Sequence, residues 1–268
     1  RGAGVREIFT LSVLRARGRL IALPIGFGLF ELVVALSYAS VDQNAIRQVV
    51  ESLPPALQAL SGEADIASPS GYLGSAYAHP VALTIQAAFV ISVAATVTRD
   101  LEERRAELLL SRPLPVWKWI LAQELALALG LAVVVLGGFL GGLIGILVVD
   151  ALNGVGIGAL VAVSVAGYLI FLVIGAVSLV LAALAPTGAR AIGLAAGFVL
   201  VSYALDYLAD VWTLAEPLGP LSVFYYYDPG VILGDGAIPA ADVFGLLAAT
   251  VVAAGAAHVM FARRELAR

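Results

Sequence analysis

One short water-loving stretch divides this chain into apolar blocks. Residues 98–118, TRDLEERRAELLLSRPLPVWK, carry Arg99, Asp100, Glu102, Glu103, Arg104, Arg105, Glu107, Arg112 and Lys118. The chain as a whole is only 13% charged, so its charge is concentrated here. Hydrocarbon does not hold such a density of charge, and this loop lies in water. Leu101, Leu108 and Leu109 recur at helical spacing with Glu and Arg on the other side, which predicts a short amphipathic helix. Pro113 and Pro115 end it, since proline lacks the amide donor and disfavours helix in the residue before it.

On either side the sequence is apolar for far longer than a soluble core requires. With 61% hydrophobic residues over 268 positions, the chain reads as a polytopic, all-α membrane protein with one transmembrane domain. Six spans are expected at residues 20–39, 80–98, 119–149, 155–184, 191–211 and 242–261. The third is too long for one perpendicular crossing, so it tilts or begins as an elbow at the surface. Residues 4–19 pair Val5, Ile8, Phe9, Leu11 and Leu14 with Arg6, Arg15, Arg17 and Arg19, the pattern of a helix lying among lipid headgroups. No small-residue cleavage pattern follows, so a removable signal is not expected. Because the first residue is Arg1 rather than Met, further residues are expected upstream.

Residues 42–60 read as a surface helix broken at Pro54-Pro55, and residues 61–74 (SGEADIASPSGYLG) as loop. Residues 212–241 are half apolar but interrupted by Pro217, Pro220, Pro229 and several glycines. Short re-entrant helices suit that segment, with Phe224, Tyr225, Tyr226 and Tyr227 as gate candidates and the tyrosines at headgroup level. Six spans put both termini on one side. Of the fifteen Lys and Arg residues only Arg47 falls in an odd-numbered loop, so the positive-inside rule makes the termini and the 99–118 loop cytosolic.

Catalytic signatures are missing. The chain has no Gly-x-x-x-x-Gly-Lys-Ser/Thr phosphate loop, no Gly-x-Ser-x-Gly and no His-Glu-x-x-His. GVGIG at 154–158 opens a span and lacks the strand–helix context of a dinucleotide fingerprint. Cysteine is absent, which excludes disulfides and thiolate metal sites, and His79 and His258 stand far apart; no resident metal is expected. Glu124 reads as structural.

Ionisable residues inside spans point inward by default. Glu31, at mid-depth of the first span, and Asp206 and Asp210, one turn apart beside Tyr203 and Tyr207, are candidates for the lining of a substrate path or for polar packing. Gly137, Gly138, Gly141, Gly142 and Gly145 form overlapping Gly-x-x-x-Gly pairs on the third span, and Gly193/Gly197 add one on the fifth. Such stripes serve close packing within one chain or across a dimer.

Four stretches together are similar to a known family. ERRAELLLSRPLPVWKW (103–119) resembles the loop between the second and third spans of ABC transporter type-2 permeases, and the tail FARRELAR (261–268) resembles their Phe-x-Arg-Arg-Asp ending. LSVFYYYDP (221–229) resembles the Ser-Pro-Phe-aromatic stretch before the last span. VVESLPPALQALSG with SPSGYLG resembles the first outer loop of bacterial multidrug and polyketide-antibiotic exporters. The family often has Gly-Thr in place of Arg104-Arg105, Pro in place of Val223 and Asp in place of Glu265.

The resemblance implies a half-permease in a bacterial or archaeal inner membrane, paired with a second permease subunit and two separate ABC ATPase subunits. Those subunits bind ATP and Mg; this chain binds no cofactor and no nucleic acid. Leu101, Glu102, Glu103, Arg104, Arg105, Glu107, Leu108, Leu109 and Ser111 would form the coupling helix seated in the ATPase. The interfacial helix, with Arg6, Phe9, Arg15 and Arg17, would be a second contact. The cargo would be a hydrophobic or amphipathic molecule. Two other readings stay open: a proton- or ion-coupled secondary transporter using Glu31, Asp206 and Asp210, and an ATPase-coupled membrane subunit that carries nothing.

Overall fold

A computed structural model describes residues 5–52, 54, 67–102 and 115–266. Among these the chain is helical throughout, with no strand. The helices are α1 (Val5–Tyr38), α2 (Gln43–Ser52), α3 (Pro69–Ala78), α4 (Pro80–Glu102), α5 (Val116–Val148), α6 (Ile157–Leu184), α7 (Gly188–Val211), α8 (Pro229–Asp235) and α9 (Ala240–Leu266). Single 3-10 turns at Asp150–Leu152, Glu216–Leu221 and Phe224–Tyr226 fill the connections. Six of the helices (α1, α4, α5, α6, α7 and α9) are long and apolar enough to cross a membrane.

The expected boundary between an interfacial helix at 4–19 and a first span at 20–39 does not exist. α1 is one uninterrupted helix of 34 residues that runs straight through Pro24. At 1.5 Å per residue it is about 50 Å long. Its partner explains the continuity. A Cβ built on Gly137 of α5 would collide with the Pro24 backbone, one on Gly141 with the Gly28 backbone, and one on Gly28 would stand 2.6 Å from the Gly137 carbonyl oxygen. The two backbones touch, and the packing holds the helix together across the proline that would otherwise weaken it. Glycines of the third span thus serve packing within the chain. Gly193 and Gly197 of α7 meet nothing within 4 Å.

A second correction concerns residues 69–74, expected as loop. They begin α3: Ser68 Oγ accepts from the Gly71 amide at 3.0 Å and Pro69 takes the first helical turn, the ordinary start signal of a helix. α3 then lies against α8 so closely that a Cβ on Gly74 would stand 2.5 Å from the Gly230 Cα. The remaining spans begin or end within about four residues of their expected bounds, apart from α9, which continues to Leu266.

α4 and α6 form the centre. Their most apolar windows are 67% and 61% buried, against 17% for α1, 17% for α7 and 11% for α9. Phe89, Val90, Ile120, Leu131, Ile170, Phe171 and Ile174 fill the space between the central helices. Leu200, Val201, Phe244, Val251 and Val252 turn outward from α7 and α9, as suits an apolar solvent. Arg15, Arg19, Arg99, Arg190 and Arg264 gather at one end of the bundle, called here the basic end; α3, α8 and the 3-10 turns lie at the far end.

Candidate functional site

At the basic end the last turn of α4 is held from several sides. Arg15 Nη1 of α1 donates to both carboxylate oxygens of Asp100, at 3.1 and 2.9 Å. Asp100 is 3% exposed, so this charge is compensated by one guanidinium nitrogen shared between its two oxygens rather than by water. Two residues on, Glu102 Oε2 accepts from the Gly188 amide at 3.0 Å. Gly188 opens α7, where free amides and the helix dipole favour an anion. Thr98 Oγ1 donates to the Ala182 carbonyl at 2.9 Å, and Arg264 Nη1 of α9 donates to the Ala182 and Ala183 carbonyls at 3.2 Å each. These contacts satisfy carbonyls that α6 leaves open at its end. The turn that leads into residue 103 is therefore tied to α1, α6 and α7, and through α6 to α9. Between α1 and α5, Gln123 Nε2 donates to Ser12 Oγ at 3.0 Å beside a shallow cleft lined by Ala16, Arg19, Val93 and Thr96.

The sequence reading places coupling residues on both sides of residue 102. Leu101 and Glu102 end α4, Leu101 half-buried and Glu102 exposed. Glu103, Arg104, Arg105, Glu107, Leu108, Leu109 and Ser111 lie outside the described residues. Of the residues assigned to the interfacial helix, Arg6 and Arg17 are exposed on α1, Arg15 is exposed along its stem but reaches across to Asp100, and Phe9 is half-buried.

Deeper in, His258 Nε2 and Glu124 Oε2 meet at 3.0 Å between α9 and α5. The second Glu124 oxygen is buried with no hydrogen-bond partner among the described residues. Read separately, these two residues look structural and interfacial. A depth comparison would have paired them: Glu124 stands eight residues inside Val116 and His258 eight inside Leu266, the basic ends of their helices.

Toward the far end lies a second buried carboxyl. Glu31 is 0% exposed, and neither of its oxygens has a hydrogen-bond partner among the described residues. Tyr77 of α3 and Tyr227 stand near enough to feel its charge. The Tyr77 hydroxyl donates to the Gly138 carbonyl at 3.2 Å, whereas the Tyr227 hydroxyl is buried without a hydrogen-bond partner among the described residues. Burial pushes both phenols well above their usual range, and a charge on Glu31 would raise them further. Gly142 and Gly167 make the room: a Cβ on the first would stand 2.6 Å from the Tyr77 hydroxyl, and one on the second 3.3 Å from the Tyr227 hydroxyl and 3.5 Å from Gln86 Oε1.

Three comparisons with known proteins bear on this arrangement. A family model described as the C-terminal domain of the multidrug efflux system permease Rv1217c matches residues 5–261. The chain belongs to that family. No curated protein and no solved structure matches. The chain is therefore a multi-pass membrane efflux permease, in agreement with its likeness to ABC transporter type-2 permeases.

Within this permease the expected path residues divide into two places. Glu31 is sealed in the core. Tyr203, Asp206, Tyr207 and Asp210 sit on α7, where Tyr203 and Asp210 are exposed and Asp206 is half-buried, close to Asp210 and Asp228. The gate candidates divide as well. Phe224 is buried edge-on to Phe171 and Tyr203, at ring separations of 6.2 and 5.6 Å. Tyr225 is exposed and Tyr226 donates to the Pro220 carbonyl at 3.0 Å. Tyr227, expected with them at headgroup level, turns inward instead, because Phe224–Tyr226 is one tight turn that sends its last neighbour the other way. Sequence reasoning missed the peg that fixes this turn. Ser222 Oγ, fully buried, donates to the Ser202 carbonyl at 2.8 Å and accepts from the Phe224 amide at 3.0 Å, while Ser202 Oγ accepts from the Val223 amide at 2.9 Å.

Proposed function

We propose that this permease is the membrane half-unit of an ABC exporter that moves a hydrophobic or amphipathic cargo out of the cytosol or inner leaflet. Two such units, alike or different, would pair with two separate ATPase subunits, which bind ATP and Mg. The family match over residues 5–261 carries the reading. The bracing at the basic end supports it: a push on residues 103–114 would reach Asp100 and Glu102 first, and through them α1 and α7. The basic end is then the cytosolic face of the plasma membrane, both termini lie there, and α3, α8 and the 3-10 turns face outward. ATP binding biases the two bundles toward one state only if the motor grips that state more tightly than the other.

Reversing charge at Glu103 and Arg105 (Glu103→Arg with Arg105→Glu), or adding bulk at Leu108 (Leu108→Trp), is expected to leave the protein in the membrane. ATP hydrolysis would then run without export in vesicles that hold the full transporter. Undiminished export by these variants would remove the coupling role from the loop. Export by the purified permease alone would replace the whole reading with a secondary transporter.

A further inference from the structure

Among the described residues two carboxyls are all but fully buried, Asp100 and Glu31, and of these Asp100 alone has a cation. An ionised carboxylate without a counter-charge or donors is too costly to keep in an apolar interior. Among the described residues no cation pairs with Glu31. Tyr77 of α3 and Tyr227, after the last 3-10 turn, stand near enough to feel its charge, with Asp228 beside Tyr227. Around those two tyrosines stand the α5 glycines near Gly138, Ser164 of α6, and the uncharged Gln86 of α4, whose amide nitrogen is turned to the Ala82 carbonyl. Asp150, after α5, is exposed, and His79 lies at the exposed end of α3 against the Phe30 ring at 5.2 Å. A metal cation would need several oxygens converging with space between them. The described residues hold no group of three His, Asp or Glu side chains that could hold a metal ion, and the Tyr77 and Tyr227 hydroxyls lie close over Gly142 and Gly167. A proton needs no space.

We propose that Glu31 is a proton-binding site, occupied in this closed arrangement of helices and exchanging with water only when α1 parts from α3. The latch between those helices is visible: the Ser37 and Tyr72 hydroxyls share a hydrogen bond at 2.8 Å, and the Tyr38 and Tyr72 rings pack at a tilt of 55° with centroids 4.9 Å apart. Any movement that opens α1 against α3 exposes the carboxyl, which then gives its proton to water and takes one back on closing. If the ATPase-driven reading above holds, each turn of the cycle moves that proton; the site itself does not depend on the motor.

The test is infrared spectroscopy of the purified permease in lipid nanodiscs at neutral pH, in water and in D2O. Wild type is expected to show the carbonyl stretch of one protonated carboxyl that Glu31→Gln lacks and Asp206→Asn retains. Loss of carboxylate bands in Glu31→Gln would overturn the proposal. So would a wild-type spectrum that changes when sodium and potassium are exchanged for N-methylglucamine, which would mean a bound metal cation. Should Glu31→Gln fail to fold, Tyr227→Phe reads the same group: it is expected to move the carbonyl band without abolishing it, and an unmoved band counts against the assignment. Wild type has no cysteine, so Ser37→Cys with Tyr72→Cys can be bridged cleanly by a short thiol-reactive crosslinker. Bridging is expected to slow deuterium exchange of the Glu31 carboxyl about tenfold. Equal rates before and after would overturn the latch. None of these readings uses an ATPase, so their failure and a failure of the exporter reading are told apart.

Discussion

The two ends of the permease treat a buried acid in opposite ways. At the basic end Asp100 is clasped by Arg15, and two residues later Glu102 rests on the first amide of α7. At the far end Glu31 is buried at least as deeply and is clasped by none of the described residues. A paired buried charge ties helices together, because separating the partners exposes both to a penalty. An unpaired buried acid ties nothing. It lowers the cost of moving apart, since water regains it when the helices open. One end is therefore built to transmit displacement as a unit and the other to yield.

The largest expected effect tests the clasp. Asp100→Ala removes the acceptor of two charge-assisted bonds and should cost about 2–3 kcal/mol, at the upper end of what a hydrogen bond to a charged group contributes. Arg15 keeps 39% of its side chain exposed, so water softens the loss on that side. Thermal unfolding in lipid nanodiscs, followed by tryptophan fluorescence, reads it directly. Adding Arg15→Ala should add little, because the interaction is already gone. An Asp100→Ala protein as stable as wild type would erase the contrast between the two ends.

A change of opposite sign is expected from Glu31→Leu. Removing a buried polar group that has no partner, and replacing it with an apolar one of similar volume, should raise stability by about 1–2 kcal/mol in the same melt. The more stable protein should also open less readily, so export by the full transporter should fall while its melting temperature rises. If Glu31→Leu is instead destabilised as strongly as Asp100→Ala, Glu31 has a structural partner and the far end is braced after all.

Glu102→Gln should be milder. The interaction is an anion on the first amide of a helix at an exposed position, where about 0.3–1 kcal/mol is usual and added salt screens the charge-dependent part. Wild type and variant should therefore converge in melting temperature as ionic strength rises. A gap that is constant in salt would mean that Glu102 acts through packing and not through its charge.

Much of the architecture is legible in the sequence because lipid selects for it. Runs of about twenty apolar residues have few folds open to them in a bilayer, and a helix long and apolar enough to cross covers each of the six expected spans, although the first begins at Val5. Locally encoded breaks mislead where a neighbour overrides them. The arginines from Arg6 to Arg19 suggest a headgroup helix separate from the first span, but the glycines of α5, more than a hundred residues away, hold α1 as one rod. The opposite error occurs at 69–74, where glycine and serine suggest loop, although Ser68-Pro69 is a helix start in plain view. Of the site, the residue types are legible and the pairings are not. Arg15–Asp100 spans 85 positions and Glu124–His258 spans 134, and no periodicity connects them. Tyr225 and Tyr227 are alike in sequence, and only the turn pinned by Ser222 sends one to the surface and the other to the core.

The smallest expected effect is the most discriminating. Glu31→Gln replaces the carboxyl with an amide of nearly the same shape, and an amide cannot ionise. If Glu31 is already the neutral acid in the closed bundle, the exchange swaps one unpartnered neutral group for another. The melting temperature at neutral pH should then stay within the equivalent of about 0.5 kcal/mol of wild type. If Glu31 is an anion held by a cation or by some larger rearrangement, the same exchange removes a charge and its partner's reason for being there, and the loss should approach that of Asp100→Ala. Run side by side in one lipid, the two isosteric exchanges Glu31→Gln and Asp100→Asn give the comparison directly. Equal losses mean two braced ends. A loss confined to Asp100 means one end that holds and one that gives way.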